Sequence, residues 1–388
     1  MKKTISILGS TGSIGLTSLG IIDKKKKFFK VFLLYANQNF NLISKQIKKY
    51  KPKFYIIKNQ KVYSKVRKKF KKSKTRFLNN LESLKFKKKI DISISTIPGI
   101  EGLKPTIKII KNSKKVLIAN KESIISGWCL IKKSSLKKTK LIPVDSEHFS
   151  ILKLLKDHKI NEINKIYITA SGGPFLRYKK NQFKSITPDK ALMHPKWKMG
   201  KKISVDSSTL MNKIFEVIEA HKLFEIPYNK LDVLIHPQSL VHAIVEFKNG
   251  LTKFIYHDTS MTIPLANAMF DDNLLIKDFL NKNTISFSSK LVFEKVNPKT
   301  FPAIKLKNKL GEYPSTPIII NAANDILVDQ FLKKRIDFLS IFKLIMRILN
   351  DSNYRKYAIR KPKNLNEIMQ IDSWSREATL KKINKFYK

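Results

Sequence analysis

Residues 4–15 read TISILGSTGSIG: a short apolar run, Thr4 to Leu8, passes directly into Gly9, Gly12 and Gly15 and then into an apolar helical pattern. A buried strand, a glycine turn and a helix in immediate succession form the opening unit of a parallel α/β sheet. Glycines allow the tight turn and close backbone approach, and the helix N-terminus offers free N–H groups to a pyrophosphate. The spacing is GxxGxxG rather than GxGxxG, so the glycines alone leave both a dinucleotide loop and a plain strand-to-helix turn open.

Working outward, a second strand is expected at Val31 to Tyr35, ending in Ala36-Asn37-Gln38-Asn39. An NAD-preferring site places an acid there to hold the ribose hydroxyls. None is present, which favours NADP, although no Arg or Lys occupies the spot either. Residues 45–89 are Lys-rich with apolar periodicity and read as crossover helices around a strand at Phe54 to Ile57. Further strands are expected at Asp91 to Ile97 and at Lys115 to Ala119, the latter running into Asn120-Lys121-Glu122. Strands alternating with helices predict a Rossmann-like, doubly wound parallel sheet, with polar residues at successive strand ends converging on one edge. Asn120 and Glu122 would face a cofactor there and Lys121 a substrate, with an ordinary surface turn as the equal alternative.

The stretch LIPVDSE, Leu141 to Glu147, is an apolar run that stops at two carboxylates one residue apart. Asp145 and Glu147 would supply half of a divalent-metal site at a strand end. A helix is expected at Ser150 to Lys156, then a strand at Lys165 to Ala170 leading to Ser171-Gly172-Gly173-Pro174, either an anion nest or a turn. His194-Pro-Lys-Trp-Lys-Met-Gly200 has the composition of a lid that closes over a charged ligand, and its histidine is either a phosphate partner or structural. Ser207 to Ala220 reads as one helical segment. It carries Asn212, Lys213 and Glu216 on one face, with Leu210, Ile214, Phe215 and Val217 free to pack inward. That face offers a cation for phosphate and a carboxylate for metal, or a simple ion pair. Strands at Val233 to Ile235, His242 to Phe247 and Thr252 to Tyr256 form a second sheet whose edge or face would pair with another subunit. Phe270 to Phe293 reads as connection. Beyond Pro302 the pattern is helical, with Asn321 to Asn324 opening one helix and others at Ile336 to Leu349 and Arg376 to Phe386. The expected domains are therefore 1–149, a dinucleotide-binding sheet; 150–275, an α+β catalytic and dimerisation domain; 276–300, a connecting segment; and 301–388, a helical domain.

A formal charge of +49 raises the possibility of a nucleic-acid partner, but the excess is nearly all Lys, is spread along the chain and comes without a reading motif. Abundant Asn, Ile, Phe and Tyr share A/T-rich codons with Lys, so solvated Lys faces in a biased genome account for the charge. The single cysteine, Cys129, excludes an internal disulfide and a multi-cysteine metal site, and fits the cytoplasm. The glycines and hydroxyl side chains in residues 9–18 break what would otherwise imitate a signal peptide, and no apolar run is long enough for a membrane span.

GSTGSIG, LIANKES, VDSEH, SGGPF, HPKWKMGKKISVDSSTLMNK and HPQSLVH occur in that order in this chain. With them the sequence closely resembles the 1-deoxy-D-xylulose 5-phosphate reductoisomerase family over essentially its full length. The resemblance implies an NADPH-dependent, Mg2+- or Mn2+-dependent homodimer. Such an enzyme rearranges 1-deoxy-D-xylulose 5-phosphate and reduces the resulting aldehyde to 2-C-methyl-D-erythritol 4-phosphate in non-mevalonate isoprenoid biosynthesis. By position it implies Asp145, Glu147 and Glu216 as metal ligands, and Ser146, Ser171, His194, Ser207, Asn212, Lys213 and Lys121 as substrate contacts. Thr11, Gly12, Ser13, Ile14, Asn37, Gln38, Asn39, Asn120, Glu122 and Gly200 fall at its nucleotide positions, and Trp197 and Met199 in its closing loop. The resemblance likewise implies Lys121, Asp145, Glu147, Glu216 and His194 as the catalytic set, with Glu147 and Glu216 also meeting the substrate. Three carboxylates suit a hard cation. Two positions depart from the pattern: Gln38 stands where a basic residue is frequent, and Ile214 where Gly is common. Competing readings are another NADP-linked oxidoreductase on a similar fold, which needs no carboxylate triad, and a basic nucleic-acid-binding protein, which predicts steeply salt-dependent binding.

Overall fold

The computed structural model describes residues 2–135, 139–197, 199–280 and 290–387. In chain order the first elements are β1 (Lys3–Leu8), α1 (Ser13–Lys24), β2 (Phe29–Ala36), α2 (Phe40–Tyr50), β3 (Phe54–Ile57), α3 (Gln60–Lys69) and β4 (Arg76–Leu78). They are followed by β5 (Ile90–Ser95), α4 (Leu103–Lys111), β6 (Ser113–Ile118), α5 (Lys121–Ser135), β7 (Lys140–Pro143) and α6 (Ser146–Leu154). Next come β8 (Ile163–Ala170), α7 (Pro188–Leu192), α8 (Lys201–Ser208), α9 (Met211–Phe224), β9 (Leu231–Ile235), β10 (Val241–Phe247), β11 (Thr252–Tyr256) and α10 (Thr262–Phe270). The chain ends with β12 (Glu294–Lys295), α11 (Thr316–Leu332), α12 (Phe338–Leu349), α13 (Tyr354–Ala358) and α14 (Leu365–Phe386). Residues 281–289 of the expected connecting segment lie outside the described residues.

The chain forms two compact units. The first takes the described residues of Met1–Ser123, Leu130–Phe149 and Ser260–Thr284. Its sheet has the order β4-β3-β2-β1-β5-β6-β7, with every pair parallel. The chain walks outward from β1 to β4 and returns to β5 beside β1, so the order in which strands are added reverses between β1 and β5. That reversal opens a crevice outside the strand carboxyl ends, where such sheets bind ligands. Its strands are buried on both faces, which is why they read as near-continuous apolar runs; Ile5, Ile7 and Leu8 are fully inaccessible. Two strand serines find hydroxyl partners: Ser93 Oγ on β5 lies 2.7 Å from Ser113 Oγ on β6, and Ser95 Oγ lies 2.6 Å from Thr106 Oγ1 on α4. The chain returns to this unit with α10, directly after which Asp271 Oδ1 accepts from Lys115 Nζ at 2.7 Å.

The second unit takes the described residues of Ile124–Cys129, Ser150–Thr259 and Ile285–Lys388. Its mixed sheet has the order β11-β10-β8-β9-β12, with β8 parallel to β9 and the other pairs antiparallel. Helix α9 packs against β8 and β9, while α11, α12 and α14 pack on one another and α11 also meets α8. A charged network ties these helices together. Asp206 accepts from Asn324 at 2.7 Å and from Lys202 at 2.9 Å, Lys202 lies 3.2 Å from Asp325, and Arg376 bridges Asp325 at 2.8 Å and Asp372 at 2.6 Å.

The α/β class holds, with a parallel doubly wound sheet, a second mixed sheet and C-terminal helices. Several element boundaries differ from expectation. Helix α6 begins at Ser146 rather than Ser150, because the Asp145 carbonyl accepts from Phe149 N at 2.8 Å and its Oδ1 from Glu147 N at 3.3 Å, so Asp145 caps the helix. Residues 207–220 are two helices: Leu210 takes φ +65 between α8 and α9. Helix α11 starts at Thr316, with Pro317 in its first turn, which puts Asn321 and Asn324 in its interior.

Candidate active site

At the crevice of the first unit, Gly9 takes φ +92 where β1 ends, and a Cβ there would lie 2.5 Å from Thr96 Oγ1. A Cβ on Gly15 would sit 2.3 Å from the Gly9 carbonyl oxygen, so helix α1 can approach the turn this closely only with glycine at that position. Gly12 is the N-cap of α1 and provides no side-chain cap, and Gly12 and Ser13 are exposed. An uncapped helix start behind a glycine turn is a fitting cradle for a pyrophosphate. Asn37, Gln38 and Asn39 follow β2 and are exposed, with Asn39 also capping α2 by accepting from Leu42 N at 3.1 Å. Asn120, which follows β6, is buried: its amide donates to the carbonyls of Ile97 and of Gly99, the latter at 3.0 Å, and its Oδ1 accepts from Ser123 N. It braces the loop after β5 and starts α5, while Glu122 lies buried in the first turn of that helix.

The same sheet edge carries the first carboxylates. Lys121 follows β6 and Asp145 follows the adjacent β7, and Lys121 Nζ lies 3.2 Å from Asp145 Oδ2. His148, one turn into α6 and fully buried, places Nδ1 3.4 Å from Asp145 Oδ1. Burial opposes ionisation of Asp145, but the Lys121 charge and His148 outweigh it and hold the carboxyl well below the usual carboxylate range. Ser146 Oγ donates to Glu147 Oε2 at 2.5 Å. Asp145 and Glu147 are thus ionisable oxygen donors adjacent at a helix start, a donor chemistry that suits Mg2+ or Mn2+.

The second unit gathers polar side chains around the loop after β8. After β8, Gly172 and Gly173 take φ +82 and +62, and a Cβ on Gly173 would meet the Ser207 carbonyl at 3.2 Å, so this loop lies against the end of α8. His194 Nδ1 accepts from Lys196 N at 3.2 Å and from Trp197 N at 2.9 Å. In the neutral ring the proton therefore sits on Nε2, which donates to Ser171 Oγ at 3.0 Å. Gly173 N also donates to that oxygen, at 3.1 Å, which leaves the Ser171 hydroxyl proton to point at a ligand acceptor. Burial, with Lys213 adding to it, pushes the His194 pKa down to about 4, so the ring is neutral at pH 7. On α9, Lys213 Nζ lies 2.7 Å from Glu216 Oε2, and Asn212 donates to Glu216 Oε1. Glu216 is fully buried and Lys213 nearly so, while Ile214 packs into the core. In the loop, Trp197 meets His242 edge-on at 6.2 Å, Met199 is partly buried and Gly200 caps α8; Lys198 lies outside the described residues.

Family models carry the same reading across the chain. The model of 1-deoxy-D-xylulose 5-phosphate reductoisomerase matches residues 5–127, that of its C-terminal domain residues 141–224, and that of a DXP reductoisomerase C-terminal domain residues 258–378. A 1-deoxy-D-xylulose 5-phosphate reductoisomerase of Pelagibacter ubique is 45% identical, covering 96% of this chain and 97% of its own. The chain belongs to the 1-deoxy-D-xylulose 5-phosphate reductoisomerase family. The corresponding protein of Thermodesulfovibrio yellowstonii is 39% identical over 99% of this chain and all of its own. Among solved structures, a reductoisomerase in complex with NADPH, fosmidomycin and magnesium superposes with TM-score 0.92 at 27% identity, covering 100% of this chain and 99% of its own. The NADPH complex of the Zymomonas mobilis enzyme gives TM-score 0.88 at 30% identity, covering 99% of each chain.

Of the residues singled out from the sequence, Lys121 meets Asp145, Ser146 meets Glu147, Ser171 meets His194, and Asn212 and Lys213 meet Glu216. Ser207 lies in the last turn of α8, at the end that the Gly173 loop approaches. His148 was missed, although the spacing Asp145-x-x-His148 at a helix start was the signal for it.

Proposed function

We propose that this reductoisomerase family member converts 1-deoxy-D-xylulose 5-phosphate into 2-C-methyl-D-erythritol 4-phosphate with NADPH as reductant, in the cytoplasm and as a homodimer. On this reading residues 1–149 bind the nucleotide, 150–275 carry substrate and subunit contacts, and 301–388 support them. Asp145, Glu147 and Glu216 hold Mg2+ or Mn2+, which when bound supplies Lewis acidity to the substrate ketone and a template for its carbon fragments. NADPH supplies the hydride. The chain's own residues bind and orient. The Ser171 hydroxyl, freed to donate by the neutral His194 ring, and the Lys213 ammonium suit a phosphate monoester, with Ser207 and Asn212 joining them. Lys121 keeps Asp145 ionised, and Trp197 excludes water when its loop closes. The observation that carries this reading is the ionised, lysine-paired carboxylate at the carboxyl edge of a nucleotide-type sheet, in a chain that matches its family along its length.

Oxidation of NADPH by the purified protein with 1-deoxy-D-xylulose 5-phosphate tests it, with Mg2+ or Mn2+ and again with chelator. Metal-dependent oxidation that Glu216→Gln abolishes supports the assignment. Undiminished turnover in the presence of chelator, or none in folded protein given metal, overturns it.

A further inference from the structure

Gln38 leaves the strand end that ordinarily recognises the second ribose substituent without a cation, yet a cavity of about 720 Å3 lies there in the first unit. Its walls include Tyr35 and Asn37 at the end of β2, Lys58 just after β3, Ile97 after β5, and Glu82 and Lys104. Parallel pairing sets the exits of β2 and β3 side by side: Lys58 N donates to Ala36 O at 3.0 Å and Asn59 N to Asn37 O at 3.4 Å. Asn59 then caps α3 by accepting from Val62 N at 3.0 Å, which fixes the backbone that carries Lys58.

The cavity's charges are not equivalent. Lys104 is engaged with Glu82 at 3.0 Å. Glu82 feels Lys58 as well, but more weakly than its direct partner. The remaining carboxylate, Glu101, acts on Tyr35. Lys58 is exposed and, among the described residues, makes no ion pair within contact distance, so its ammonium is available to a ligand. A lysine is suited to such a role because its flexible stem delivers a point charge without a fixed fork geometry.

We infer that Lys58 replaces the cation missing at position 38 and is the residue by which this chain selects a 2'-phosphorylated nucleotide over its unphosphorylated counterpart. The selectivity has moved from the end of β2 to the end of the neighbouring strand. This inference rests on the proposed use of NADPH and specifies which side chain reads the 2'-phosphate.

Calorimetric titration of the full chain with NADPH, NADH, 2',5'-ADP and 5'-AMP tests it without turnover. Lys58→Met should weaken NADPH and 2',5'-ADP by roughly 10- to 100-fold, the range for a hydrogen bond to a charged group, and leave NADH and 5'-AMP within about twofold. Gln38→Arg added to that variant should restore most of the lost discrimination, and Lys104→Met alone should leave it intact. Equal weakening of all four ligands, no weakening, or the same loss from Lys104→Met overturns the inference while wild-type NADPH binding leaves the functional reading standing. Failure of the wild-type chain to bind either NADPH or 2',5'-ADP overturns both.

Discussion

His194 makes two kinds of bond that substitution can separate. Its Nδ1 accepts two loop N–H groups, from Lys196 and Trp197, and its Nε2 donates to Ser171. At about 1 kcal/mol net for each hydrogen bond, His194→Ala removes roughly 3 kcal/mol of organisation in this corner. In His194→Asn the amide oxygen takes the place of Nδ1 and keeps the loop turn but loses Ser171. About 1 kcal/mol then falls on phosphate recognition, a rise in KM of roughly fivefold, with kcat nearly kept. His194→Gln reaches toward Ser171 but leaves the loop N–H groups without their acceptor, so kcat should fall with loop closure. The stability of wild type carries a further signature. Its folded-state pKa is depressed from 6.5 to about 4, so the contribution is full above pH 6.5 and is lost as pH falls from 6.5 through about 4. The full shift would correspond to roughly 3 kcal/mol, and partial exposure of the ring reduces this to about 1–2 kcal/mol. Steady-state kinetics on the three variants and denaturant unfolding from pH 7.5 to 4 read both effects. Indistinguishable Asn and Ala variants, or a wild-type acid slope shared by His194→Asn, would refute the assignment of the two ring nitrogens.

Substitutions at two further places probe the frame around the site. In α1, Gly15→Ala would press its methyl 2.3 Å from the Gly9 carbonyl, whereas nothing lies within 4 Å of a Cβ on Gly20; NADPH affinity should collapse in the first, and Gly20→Ala should gain about 1 kcal/mol in thermal unfolding. Arg376→Met strands Asp372, which is 2% exposed, and should cost about 2–3 kcal/mol in urea unfolding, with part recovered by adding Asp372→Leu.

What could be read in advance was what is encoded locally. The strand, glycine turn and helix of residues 4–15, the strand at Phe54 to Ile57 and the paired acids at 145 and 147 all announce themselves by period, by glycine or by adjacency. The break at Leu210 does not: Ser207-Ser-Thr-Leu-Met-Asn212 contains neither glycine nor proline and reads as continuous helix. The left-handed turn costs about 1 kcal/mol or more at a leucine, and the strain is offset by burying that side chain to 1% exposure. Likewise β4 is only three residues long inside a lysine-rich stretch, and α10 joins the first unit through pairings such as Lys115 with Asp271 that no local pattern records. The same physics explains why position 38 looked like a loss. Lys58 comes twenty positions after Gln38 along the chain, but β2 and β3 are hydrogen-bonded neighbours whose exits open into one cavity. A charge can therefore migrate between adjacent strand ends without leaving the ligand's reach, and only the order of strands in the sheet shows that the substitution at one end has a counterpart at the other.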